Sequence, residues 1–191
     1  MTHPRPSPLQ ESIVQGPLGL MHLMASDEGL CLVQFLDGSA TDAAVQADVG
    51  RRRMARLLGR PVESGAHPLL DEAKRQLAEY MAGTRHAFDI PVFMPGTPFE
   101  QRVWAVLRSI PHGSTQTYAQ VARAAGSPGA SRATGSANGR NRVAVIVPCH
   151  RVIQAHGGIG GYSAGIWRKQ WLLELERTGQ PPHPPQAHAR P

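Results

Sequence analysis

The stretch TPFEQRVWAVLRSIPHGSTQTYAQVARAAG opens two helices in quick succession, and this limits the fold more than any other feature of the chain. Thr97 suits an N-cap, Pro98 the first helical position, and Glu100 completes a capping box, in which side-chain and backbone groups at the helix start satisfy one another. Phe99, Val103, Val106, Leu107 and Ile110 then form an apolar stripe at helical spacing, stopped by Pro111 and Gly113. Thr117 and Gln120 repeat the capping box and open a short helix from Tyr118 to Ala125, which Gly126 ends. SPGASRATGSANGRN follows, so the order is helix, glycine turn, helix: a candidate helix-turn-helix.

The second helix of that pair is built of small residues: Ala130, Ser131, Ala133, Thr134, Gly135, Ser136 and Ala137. Glycine inside a helix costs about 1 kcal/mol relative to alanine. A surface this flat therefore serves close approach, either to a partner or to another helix. Arg132 is its single long projection, and Arg140 and Arg142 extend the positive charge. The net charge of +6 favours polyanionic partners, since each phosphate neutralised releases counterions. A helix-turn-helix can also be purely structural, so this feature alone leaves both readings open.

From Ile13 to Phe93 the pattern predicts strands around one helix. IVQGPLGLMHLMASDEGLCLVQFLDG holds two strand-like runs joined at SDEG, as in a hairpin, and HAFDIPVF reads as a further short strand. LLDEAKRQLAEYMAG places Leu70, Ala73, Leu77, Tyr80 and Met81 at helical spacing, with Gly83 as its stop. Residues 1–10 and 179–191, both Pro-rich, predict disordered ends, with His183 and His188 solvated rather than metal-bound. Two cysteines, Cys31 and Cys149, exclude a disulfide framework and a four-thiolate zinc site. No apolar run approaches the ~20 residues that span a bilayer. A cytoplasmic protein with reduced thiols and no membrane association is expected.

RVAVIVPCHR carries the chemistry. The β-branched run predicts a buried strand, and Pro148, which cannot donate to a sheet ladder, predicts its end. Cys149 then lies in the turn beyond, opening a helical turn whose free N–H groups favour a thiolate. Taken singly, Cys149 reads as an inert buried thiol and His150 as a hydrogen-bonded structural histidine. HGGIGGYSAGI is a glycine loop without the spacing of a phosphate cradle. IWRKQWLLELERTG closes the chain as an amphipathic helix, with Trp171, Leu172 and Leu175 as core and Glu176 near its end, either solvated or held by an imidazole.

NGRN, VPCHRVI, GIGGYSAG and RKQWLLELE together resemble the O6-alkylguanine-DNA alkyltransferases, closely over Thr97 to Glu176 and more loosely over GPLGLMHLMASDEGL. The resemblance implies an α+β fold. Its N-terminal part, residues 11–93, is a small RNase H-like α/β domain. Residues 97–178 form a mostly helical domain with a winged-helix-like helix-turn-helix. It further implies Cys149 as alkyl acceptor, His150 as base through a water, Glu176 orienting the imidazole, Asn141 bracing the cysteine turn and Tyr118 donating a proton to guanine. Arg132 would fill the stack vacated by the extruded nucleotide. Ser131, Ala133, Thr134, Ala137 and Arg140 would meet the minor groove, while Ser163, Tyr162 and the backbone at Val152 line the base pocket. The implied partner is double-stranded DNA containing O6-alkylguanine, bound by a monomer with no cofactor. Arg142 departs from the family pattern, which commonly has proline there. Ser26 and Cys31 stand where some relatives have zinc ligands, so no metal is expected.

The implied chemistry is consistent with general principles. A free thiol has a pKa of about 8.5, so a base must supply the attacking thiolate. An O6-alkyl carbon inside a stacked duplex is reached only after the nucleotide is flipped out. Protonating the leaving guanine contributes typically 10²–10⁴-fold. The product thioether offers water no carbonyl to attack, so each molecule reacts once. Three rivals remain: a cysteine hydrolase using Cys149, His150 and Glu176, a non-enzymatic lesion-binding protein, and a plain helix-turn-helix regulator. The first predicts turnover, the second does not need the cysteine, and the third has no use for PCHR.

Overall fold

The computed structural model describes residues 7–183. Three consecutive strands, β1 (Leu9–Gly16), β2 (Gly19–Ser26) and β3 (Gly29–Leu36), form an antiparallel meander. Helix α1 (Ala40–Leu58) then crosses back to β4 (Val62–Ser64), which pairs parallel to β1 and gives the strand order β3-β2-β1-β4. Helix α2 (Pro68–Met81) buries Leu70, Ala73, Leu77, Tyr80 and Met81 against this sheet. The second half contains α3 (Pro98–Ser109), β5 (Gln116–Thr117), α4 (Tyr118–Ala124), α5 (Ser131–Gly139), a 3-10 turn (Cys149–Arg151), β6 (Val152–Ile153) and α6 (Ile166–Thr178). Helices α3, α4 and α5 pack together as the helix-turn-helix unit, and β5 and β6 pair parallel beside it.

Both predicted capping boxes form. Thr97 Oγ1 accepts from the Glu100 N–H at 3.3 Å while Glu100 Oε2 accepts from the Thr97 N–H at 2.7 Å, and Thr117 and Gln120 repeat the arrangement. Gly126 turns between α4 and α5 at φ +70°. Elsewhere the structure corrects several expectations. The predicted two-strand hairpin is three strands, because the chain also reverses between Gly16 and Gly19. β1 begins at Leu9, so the expected disordered start does not extend to residue 10. Residues 1–6 and 184–191, including His188, lie outside 7–183, while the Pro182 carbonyl in the predicted tail accepts from Trp171 Nε1 at 3.1 Å. HAFDIPVF makes only a single parallel bridge, Leu30 with Val92. Helix α1 is an additional element. It buries only Ala43, Ala47, Gly50 and Met54, too slight a stripe to stand out from its many charges, although Ser39 and Asp42 cap it.

The largest correction concerns residues 143–147, which form no strand. Val143 makes one bridge to Val33, then the chain coils, with Ile146 N donating to Ala144 O at 2.9 Å and Val147 N to Val143 O at 2.9 Å. Val145 sits at φ +70°, a left-handed conformation rare for a β-branched residue. Val143, Val145, Ile146 and Val147 are all buried, and enclosure rather than sheet pairing explains the composition of the run.

The two halves share one core. Leu18, Met21, Leu23 and Tyr80 from the first half pack with Val103, Leu107, Val147 and Leu172 from the second. Buried Arg168 of α6 reaches across, donating to Leu18 O at 2.8 Å and to Asp37 Oδ1 at 2.7 Å. Among the described residues, no helix is long and apolar enough to cross a membrane.

The ends of α2 and α6 meet at two glycines. A Cβ on Gly83 (φ +77°) would lie 2.5 Å from the Gly179 carbonyl oxygen, whereas one on Gly126 would meet nothing within 4 Å. Both residues are left-handed, so Gly126→Ala is expected to cost about 1–2 kcal/mol from conformation alone. Gly83→Ala should cost distinctly more, because the opposing group is backbone. Thermal unfolding of the two variants checks this, and equal loss would show that the helix ends are free to separate.

Candidate active site

Glu176 lies in the last turn of α6, where the helix dipole disfavours a carboxylate, yet it is almost fully buried. Donors from four other residues compensate. His150 Nε2 lies 2.6 Å from Oε1, and Arg151 Nε donates to both oxygens at 3.1 and 3.0 Å. The Gly113 N–H donates to Oε2 at 2.9 Å, and the hydroxyl of Tyr80 donates to Oε1. Burial alone would raise the Glu176 pKa. The hydrogen bond and charge of its histidine neighbour, the Arg151 guanidinium and Tyr80 instead hold it at about 2.

Burial lowers the pKa of His150, against the pull of Glu176, so the imidazole is neutral near pH 7. With the carboxylate ionised, Nε2 carries the proton it donates to Glu176. Nδ1 keeps its lone pair, and it has no protein partner. His150 is thus oriented as a base whose accepting nitrogen is free.

Cys149 opens the 3-10 turn, adjacent to His150 in the chain. Asn141 shapes this turn: its Nδ2 donates to Val147 O at 2.7 Å and to Cys149 Sγ at 3.0 Å, while its Oδ1 accepts from the Val143 N–H at 3.0 Å. Asn138 adds a hydrogen bond to the Cys149 carbonyl at 3.4 Å. The expectation that N–H groups at the turn favour a thiolate is met only in direction. Burial raises the thiol pKa above its ordinary value, outweighing Asn141, the charge of Lys169 and the local N–H groups. At rest the nucleophile is a thiol.

A cavity of about 220 Å³ opens on this sulfur. Tyr118, Gly135, Asn138, Gly139, Gly161, Tyr162 and Ser163 complete its wall. Tyr118 is the first residue of α4, fixed by the Thr117 cap, and its ring lies against Gly135 and Gly160; a Cβ on Gly160 would come within 3.3 Å of its hydroxyl. Burial, then the proximity of Cys149, raises its pKa, so the phenol stays protonated. The Tyr162 hydroxyl is buried without a partner. A much larger groove, about 990 Å³, runs along the outer side of α1 but holds neither cysteine nor histidine, and its one carboxylate, Asp48, is paired with arginine.

The remaining expected residues divide. Arg132 and Ala133 are exposed on α5 and Ser131 is half-buried, so these form an open face. Thr134 and Ala137 do not: both are fully buried, and the Ala137 carbonyl accepts from Trp104 Nε1 at 2.9 Å. They are the side on which α5 packs. Arg140 is half-exposed and paired with Glu100. Val152 is fully buried outside the cavity wall, its carbonyl accepting from Lys169 Nζ at 2.5 Å. Four contributors escaped the sequence reading. Arg151 adjoins the motif itself, Asn138 sits among the small residues of α5, and Lys169 is one of three charged residues on the buried side of α6. Tyr80 has no such signal, since a core tyrosine and a core phenylalanine look alike in a pattern.

Comparison with known proteins agrees with this geometry. Residues 98–178 match the family model described as 6-O-methylguanine DNA methyltransferase, DNA binding domain, and residues 9–93 match its ribonuclease-like domain. The chain is 39% identical over 165 residues to the methylated-DNA–protein-cysteine methyltransferase of Methanosarcina acetivorans, covering 86% of this chain and 96% of that protein. It is 49% identical over 111 residues to the constitutive enzyme of that name from Bacillus subtilis, covering 58% and 67%. Among solved structures it is similar to Mycobacterium tuberculosis OGT in complex with DNA, with TM-score 0.74 and 38% identity, covering 90% of this chain and 95% of that one.

Two measurements test the electrostatics. His150 and His22, which is also fully buried and lowered by burial, take up protons in the unfolded chain near pH 6.5 but not in the folded one. Their stabilising contribution is complete above that pH and declines as pH falls, by up to about 1.4 kcal/mol per pH unit for each group. Denaturant unfolding at pH 7 and 5.5 should show lower stability at 5.5; equal values would contradict neutral histidines. Iodoacetamide should label Cys149 more slowly than free cysteine at pH 7.4 and keep accelerating above pH 8.5, while a plateau below pH 8 would mean a resting thiolate.

Proposed function

The chain belongs to the 6-O-methylguanine DNA methyltransferase family, which repairs DNA by moving an alkyl group onto a cysteine of the protein, and we propose that Cys149 is the acceptor and O6-alkylguanine in double-stranded DNA the donor. The observation that carries this reading is one cavity holding both the Cys149 sulfur and the Tyr118 phenol, opening beside the exposed small-residue face of α5. A hydrolase would need the sulfur and base, but neither the phenol nor that face.

The steps follow from the resting state. Cys149 starts as a thiol, so its proton must leave as the sulfur attacks. His150 is the acceptor, neutral and with Nδ1 free, and it takes the proton through a water because Sγ and the ring make no direct hydrogen bond. Glu176 stabilises the imidazolium that forms, and stays ionised itself. The sulfur bonds to the alkyl carbon as the carbon–O6 bond breaks. Tyr118 gives the departing guanine a proton, so it leaves neutral. Tyr118 then regains a proton through water as the His150 imidazolium gives one up, so overall the guanine gains one proton and Cys149 loses one, and the thioether is permanent.

Reaching the alkyl carbon requires the nucleotide outside the stack, at a cost of a few kcal/mol. Arg132 compensates by occupying the vacated space, while Ser131, Ala133 and the exposed glycine edge of α5 allow its backbone close to the minor groove. Thr134 and Ala137, facing the core, contribute by holding α5 rather than by touching DNA. A chain that depends on a free thiol suits a reducing compartment such as the cytoplasm.

Intact-mass analysis after mixing with duplex DNA carrying O6-methylguanine should show one added methyl, located on Cys149, and saturation at one equivalent. Cys149→Ser should bind DNA without accepting the methyl, and Arg132→Ala should slow transfer about tenfold through weakened extrusion. Transfer at full rate by the Ser variant, or repeated turnover, would refute the assignment.

A further inference from the structure

A second cleft, about 260 Å³, lies where the first half of the chain meets the Asn141 turn. Its walls come from β3, from α1 through Arg53, and from Gly139, Arg140, Asn141 and Arg142, with Ser163 and Ala164 at the far end. Gly139 and Ser163 also line the Cys149 cavity, so the two spaces adjoin.

Four charged side chains face this cleft. Asp37 is taken by Arg168, and Arg140 by Glu100. The other two have no counter-ion: among the described residues neither Arg53 nor Arg142 makes an ion pair. Arg142 is half-buried, and its Nη1 donates to the Pro95 carbonyl at 3.0 Å while its Nε is buried with no partner. Burial, and then the like charge of Arg53, lower its pKa; only Glu100 opposes them. Two guanidinium groups thus converge on a polar cleft, one with a donor left over, and the local field there is positive. Such an arrangement accepts an anion, and guanidinium forks match phosphate geometry in particular.

We propose that this cleft binds a backbone phosphate of the DNA strand that carries the extruded nucleotide, with Arg53 and Arg142 as its ligands. This rests on the function proposed above, because the strand running from a nucleotide lodged against Cys149 passes the shared edge at Gly139 and Ser163. It gives the first half of the chain, through α1, a direct part in holding DNA. Arg142, which departs from the family pattern, supplies the half of the site that belongs to the cysteine turn.

The test is the salt dependence of binding by the full chain to a duplex carrying O6-methylguanine, read by fluorescence anisotropy in a Cys149→Ser background that binds without reacting and serves as the wild-type reference for every slope. Losing one phosphate contact lowers the slope of log K against log salt by about 0.9 in magnitude. Arg53→Gln, at an exposed position that does not threaten folding, should show that loss. Arg53→Gln combined with Arg142→Gln should lose little more, since both residues serve one phosphate. Arg56→Gln, on the same helix but outside the cleft, should keep the wild-type slope. A wild-type slope in Arg53→Gln overturns the proposal, and so does an equal loss in Arg56→Gln, which would mean a diffuse charge effect. Inorganic phosphate raising the melting temperature of wild type but not of Arg53→Gln, with DNA slopes equal, would assign the cleft to a free anion and also overturn it. On O6-methylguanine duplex, Arg53→Gln should slow Cys149 methylation at subsaturating DNA and match wild type at saturation. Absence of any methyl transfer by wild type, with the salt signature present, would defeat the proposed function instead.

Discussion

One buried carboxylate organises the reactive half of this molecule. Glu176 receives hydrogen bonds from the 3-10 turn, from the loop after α3 and from α2 of the first half, and it does so at a helix end that repels negative charge. Removing any one donor leaves the charge less compensated in a place water does not reach, where such groups are expensive. The imidazole of His150 is oriented only because this anion fixes which of its nitrogens carries the proton. The base, its tautomer and the docking of α2 against α6 are therefore consequences of the same interaction.

Around that centre the protein holds its nucleophile in an unreactive state. Burial outweighs every group that would ionise Cys149, so the sulfur stays protonated until a substrate brings the proton acceptor into use. Cys31, fully enclosed in β3 and pushed up to about 12, shows the same burial effect with no machinery beside it. The difference between the two thiols lies in their neighbours: Cys31 donates to the Met24 carbonyl, whereas Cys149 meets an amide, a cavity and a nearby free imidazole nitrogen.

How much of this could be read in advance depended on whether a feature is local. The capping boxes at Thr97 and Thr117, the stop at Gly126 and the α2 stripe rest on contacts within a few residues, and all were legible. The proline at 148 marks where the cysteine turn begins, but nothing marks the coil before it, because buried β-branched residues look the same whether they pair or coil. Thr134 and Ala137 show the opposite limit: in a helix of uniformly small residues, nothing in the pattern separates the packed face from the open one. The helical spacing of Tyr80 marks it as core, and it is fully buried. That its hydroxyl completes a site far along the chain depends on tertiary packing alone.

Arg168 and Tyr80 have a consequence for how such a chain can be divided. Each spans the seam between the halves with a polar group that is buried only because both halves are present. Excising the helix-turn-helix portion as an independent module would strand Glu176 without its phenol donor and leave the Arg168 guanidinium with only the Ala164 carbonyl and the Trp167 ring. The two family domains are thus interlocked partners rather than interchangeable cassettes, and recombining either with a foreign half would need to recreate this seam.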